Sequence, residues 1–119
     1  MILDPDYVLA WARAFAFTQV VEAPIYRRAL RVAWWRALVP SAITHPFVWF
    51  AFPLLSSELD FGWTLAMALA EVFAWLVEAA FFVVTKPRVR TGRALLASLA
   101  ANGASLVLGL TSRALFGFP

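Results

Sequence analysis

The 119-residue chain contains no cysteine, so a disulfide, a thiolate metal ligand and a thiol nucleophile are all excluded. Charge is scarce as well: Asp, Glu, Lys and Arg make up 14% of the residues against 63% hydrophobic ones, far from the habits of a soluble globular domain. Neither H-E-x-x-H nor G-x-S-x-G occurs, and Ser41 and Ser98 lack any neighbouring pattern that marks a nucleophile. The start, Met1-Ile2-Leu3-Asp4-Pro5-Asp6, is acidic where a secretory leader is basic, so no cleavable leader is expected. Internal repeats, low-complexity runs and linkers are missing too, and residues 1–119 read as one domain.

Long apolar runs are what the chain does have. With a mean hydropathy of +0.78 it reads as an integral membrane protein. About 20 apolar residues in a helix cross a hydrocarbon core of about 30 Å. Four such stretches are expected, at 7–26, 37–55, 62–84 and 94–115, making an all-α bundle with a polar interior. The connecting segment 27–36 carries four arginines, and 85–93 carries one lysine and three arginines, whereas 56–61 holds Glu58 and Asp60. Lys and Arg in short loops stay on the cytoplasmic side, which places 27–36 and 85–93 inside and both termini outside, and a bacterial plasma membrane is the first expectation for where the chain resides. Eight of the ten basic residues lie in those two loops, so the pI of about 10.2 calls for anionic lipid headgroups and not for nucleic acid. Trp34, Trp35 and Trp63, near helix ends, fit interfacial anchors.

Against this apolar background, Glu22, Glu71, Glu78 and the single histidine, His45, stand out. An ionisable group inside a membrane costs several kcal/mol unless it faces a partner or a wet cavity. At 1.5 Å per residue, Glu22, His45, Glu78 and Asn102 lie about 6, 12, 9 and 12 Å from the cytoplasmic boundary, one from each helix, with Glu71 about 20 Å deep. Phase supports convergence, because residues three, four or seven apart share a helix face. Thr18, Gln19 and Glu22 form one stripe; Ser41, Thr44 and His45 form another; Ser98, Asn102, Ser105, Gly109 and Ser112 form a third, opposite a side carrying Leu95, Leu99, Leu106 and Leu110. Glu22, His45, Glu71, Glu78 and Asn102 are therefore the expected proton or cation site, with Thr18, Gln19, Ser41, Thr44, Ser98 and Ser105 in support.

Pro24 and Pro46 lie within expected helices and free the carbonyls of Val20 and Ala42, either kinking the helices or helping to coordinate a cation. Glu22 could pair with Arg27, Arg28 or Arg31, Glu78 with Lys86, and Glu71 with Arg13. Three carboxyls in a low dielectric cannot all stay ionised without counter-charge, so the set needs protons or a cation. A proton- or cation-linked transporter or channel, assembled as a homo-oligomer, is the leading expectation. One alternative is an intramembrane enzyme acting on a lipid-like or membrane-embedded substrate, with a divalent metal on His45, Glu71 and Glu78. Another is a noncatalytic accessory subunit whose polar stripes bind a second membrane protein. Small multidrug transporters share the length, the four helices and a glutamate in helix one, but their glycine-rich helix pairing is missing here. Short fluoride channels share length alone, so no residue role is carried over from either group.

Overall fold

The computed structural model describes residues 4–118, so part of the acidic start lies outside them. The described residues are all-α: α1 Pro5–Leu30, α2 Trp34–Pro46, a π-helical stretch Phe47–Ala51, α3 Phe52–Leu59, α4 Trp63–Thr85 and α5 Thr91–Phe116. The π stretch joins α2 to α3 without a break, so the described residues form four helical rods. Three of them, Trp34–Leu59, Trp63–Thr85 and Thr91–Phe116, are long and apolar enough to cross a membrane. The fourth rod, α1, has the length, 26 residues, but carries Arg13, Gln19, Glu22, Arg27 and Arg28.

α1 extends further than hydropathy suggests, from Pro5 to Leu30, because the backbone groups at its ends are capped. Asp4 precedes α1 and its Oδ1 accepts the Asp6 N–H at 2.9 Å, with Pro5 in the first turn. At the other end α1 stops at Arg31, whose φ of 52° is left-handed. The last carbonyls of α1 are taken by cations from the α4–α5 connection and the first turn of α5: Lys86 Nζ donates to Leu30 O at 3.1 Å and Arg31 O at 2.8 Å, and Arg93 Nε donates to Ala29 O at 2.8 Å. The basic connections therefore shrink to 31–33 and 86–90, while Arg27, Arg28 and Arg36 are helical. Two of those arginines lie over the tryptophans at this end, Arg27 over Trp34 at 4.9 Å and Arg36 over Trp35 at 5.0 Å.

Neither Pro24 nor Pro46 breaks its helix. Pro24 and Val20 lie on the outer face of α1, away from Glu22, and α1 runs through them. Pro46 is followed directly by the π stretch, where the Phe52 N–H reaches Phe47 O. Farther along, Pro53 cannot donate to the carbonyl four residues before it, that of Trp49. The Tyr7 hydroxyl fills this place, donating to Trp49 O at 2.5 Å.

Packing follows a ring: α1 lies against α2 and α5, and α4 lies against α2 and α5, which puts α1 diagonal to α4. Ala66, Ala70 and Ala74 on α4, and Ala94, Ala97 and Ala101 on α5, are buried, and such small residues let helix backbones approach closely. Replacing Ala101, fully buried in the core, by leucine is expected to lower stability by about 1–3 kcal/mol through overpacking. Leucine at the exposed neighbour Ala100 should leave the unfolding midpoint in detergent unchanged, and equal effects at the two sites would contradict the packing.

Polarity is distributed inside out. Glu22, Glu78, Ser41, Thr44, Ser98 and Asn102 are buried, while Val20, Val84 and Leu96 are 74%, 79% and 69% exposed. An exterior of this kind suits lipid, where apolar side chains need no cover and polar groups must be satisfied internally. The long axis of 42 Å matches a bilayer with its headgroup regions, about 40–45 Å.

Candidate functional site

Because α1 and α4 are diagonal, their buried glutamates meet across the middle of the ring. Ser41 on α2 lies between them, its Oγ donating to Glu22 Oε1 at 2.6 Å and standing 3.5 Å from Glu78 Oε1. The second oxygen of Glu22 accepts from Ser105 Oγ at 2.5 Å. Glu78 accepts from the Tyr26 hydroxyl at 2.6 Å and from Thr44 Oγ1 at 2.7 Å. Each carboxyl oxygen thus has a hydroxyl donor, and every one of those donors is neutral. The basic partners expected from sequence are engaged elsewhere: Lys86 caps α1, and Arg27, Arg28 and Arg31 are exposed at the basic end.

A second tier braces the pair. Asn102 Nδ2 donates to Ser98 O at 2.9 Å and lies 3.4 Å from the Tyr26 hydroxyl, whose own proton goes to Glu78. Ser98 Oγ donates to Trp75 O at 2.7 Å, and Trp75 Nε1 donates to Leu95 O at 2.8 Å, tying α5 to α4. Tyr26 also packs against Phe82, ring centroids 4.7 Å apart. With Leu30, Val32, Ala37, Ala94 and Ala97, these two rings form an apolar plug that fills the basic end beneath the carboxyls.

On the opposite side of the pair lies a partly open cavity of about 180 Å³. Glu22, Glu78, Ser41, Thr44, Asn102 and Ser105 make its floor; Thr18, His45 and Glu71 stand on its walls; Arg113 is at the end away from the basic loops. Glu71 is half-buried, and none of the hydrogen bonds among the described residues involves its carboxyl. Arg13 is exposed, on the helix diagonal to that of Glu71. His45 is buried among Phe15, Trp49 and Trp11, at centroid distances of 5.4, 6.0 and 6.5 Å. Its Nε2 lies 3.4 Å from Thr18 Oγ1, and its Nδ1 has no partner. Among the described residues no three His, Asp or Glu side chains gather into a metal-holding group.

Of the residues singled out from sequence, Glu22, Glu78, Ser41, Thr44, Asn102 and Ser105 come together at the floor. Ser98 lies in the tier beneath. Gln19 turns toward α2 instead, donating to Leu38 O at 2.8 Å, and does not line the cavity. Leu95 packs against the core and Leu106 lines the cavity, so the leucine side of α5 is not uniformly outward. Tyr26 and Arg113 were missed. The signal for Tyr26 was its spacing, one turn after Glu22 on the same face. Comparison with protein-family models, with curated proteins and with solved structures finds no match to this chain.

Proposed function

We propose that the chain is a four-span integral membrane protein, basic end cytoplasmic and both termini outside, in which Glu22 and Glu78 are the exchangeable site of a proton- or cation-linked transporter or channel. The observation that carries this reading is the pair of buried carboxyls whose hydrogen-bond donors are all neutral hydroxyls. Such a pair has no built-in counter-charge, so a proton or a cation is the balancing species that it takes up and releases. The pair also lies between a cavity on one side and an apolar plug on the other, the arrangement of a site reached from one side at a time. That α1 serves as a span is supported by its length and by its outward Val8, Leu9 and Val20.

The transport reading is tested by the decay of an imposed pH gradient in liposomes containing the purified protein. Decay no faster than in protein-free liposomes, under any of the tested monovalent and divalent cations, would remove it. Orientation has its own test, made simple by the absence of cysteine. A cysteine in place of exposed Ser57 is expected to react with an impermeant maleimide on intact cells, and one in place of exposed Thr91 only after permeabilisation. The reverse pattern would invert the topology.

A further inference from the structure

The cavity presents its charged groups at two levels. Glu22 and Glu78 close the floor, bridged by Ser41. Glu71 is on the wall seven residues outward along α4, about 10 Å higher. His45 stands on the wall too, one turn outward of Ser41, buried and with Nδ1 unpartnered. Ala74, Phe17 and Leu106 make the wall apolar.

Three properties follow from this layout. A single spherical cation, with ligands at about 2–2.6 Å, cannot touch both levels, whereas an elongated molecule with a positive group at each end can. Three carboxylates against the Arg113 guanidinium leave two negative charges when all are ionised, which a dication balances. A volume of about 180 Å³ is below the roughly 300 Å³ at which sites for drug-sized ligands begin.

We infer that the cavity binds a short aliphatic diamine, with one ammonium group at the Glu22–Glu78 floor and the other at Glu71 and His45. This names the substrate class of the site proposed above and rests on that reading; two protons leaving for one diamine entering keeps the charge balanced. Each ammonium has three N–H donors, and carboxylate oxygens that already accept one hydroxyl retain a further lone pair. Ammonium–carboxylate hydrogen bonds of about 2.8 Å at both ends leave about 5–8 Å between the nitrogens, a chain of about three to five methylenes. The apolar wall then covers the methylenes.

The experiment is calorimetric titration of the full chain in nanodiscs with 1,4-diaminobutane, with butylamine and with magnesium chloride. Diaminobutane is expected to bind at least about tenfold more tightly than butylamine, the gain from a second charge-assisted contact. Affinity across diamines of increasing length should peak at three to five methylenes, a result read on the native protein. Glu71→Gln should bring the affinities for diaminobutane and butylamine within about threefold of each other. Equal binding of diamine and monoamine, a flat length series, or no saturable diamine binding by protein that still dissipates a pH gradient would overturn the substrate class while leaving the proton reading intact. Absence of both diamine binding and gradient decay would overturn the two together.

Discussion

Glu78→Gln is expected to reduce proton-driven flux to the rate of liposomes without protein, while the purified variant still folds. Glutamine keeps the size of the side chain, and its amide oxygen still accepts from the Tyr26 hydroxyl, so the 2.6 Å contact has a counterpart. Its NH₂ group faces Thr44 Oγ1, which must rotate from donating to accepting, a change that costs about 1 kcal/mol. What glutamine cannot do is take up a proton or neutralise a cation. Glu22→Gln should act in the same direction. Ser41→Ala removes only the hydroxyl between the two carboxyls, so it should slow flux without abolishing it. Native flux in both glutamine variants would show that the pair is structural glue, and the assignment of Glu22 and Glu78 as the exchangeable site would fall.

Depth places Glu22, His45, Glu78 and Asn102 in one layer, and phase adds Ser41, Thr44 and Ser105 to their stripes; the structure brings all of these but His45, which stands on the wall, to one cavity floor. This much was legible because a helix has a fixed rise and a fixed 3.6-residue period, so a polar residue in an apolar run carries both a height and a direction. Direction fails where a helix has two neighbours. Gln19 is on the stripe of Glu22, yet α1 touches both α2 and α5, and Gln19 is spent on the backbone of α2. Helix order is a second quantity that periodicity does not contain. Only when α1 and α4 are known to be diagonal does it follow that Glu22 and Glu78 face each other and that Arg13 is not beside Glu71.

Helix ends differ from the hydropathy boundaries by up to four residues for a related reason. The stretches 27–36 and 85–93 are rich in charge, and hydropathy treats charge as loop. Here the charges complete helices: Lys86 and Arg93 occupy the bare carbonyls of α1, and Arg27 and Arg36 lie over Trp34 and Trp35. Tyr26 was hidden by the same habit. Tyr26 is the last residue of the expected first span, 7–26, but α1 continues for another turn, to Leu30, and encloses it.

That enclosure makes Tyr26 the residue whose loss should cost the fold most. Its side chain is fully buried, its ring packs on Phe82, and its hydroxyl joins Glu78 to Asn102. Tyr26→Ala leaves a ring-sized void in the plug and is expected to destabilise the protein by about 3–5 kcal/mol. Tyr26→Phe keeps the ring and removes the donor from Glu78 Oε1. Hydrogen bonds between membrane helices average about 0.6 kcal/mol, and a buried acceptor left without its donor costs about 1–3 kcal/mol, so an intermediate loss of about 1–2 kcal/mol is expected. Unfolding by SDS titration in mixed micelles measures both. The ordering decides the argument. Equal losses in Tyr26→Ala and Tyr26→Phe would mean that the ring adds nothing to the plug, and a neutral Tyr26→Phe would mean that Glu78 does not depend on the hydroxyl. If the order holds, the double variant Tyr26→Phe with Glu78→Ala should lose less than the two single losses combined, because each substitution alone removes the same hydrogen-bonded contact.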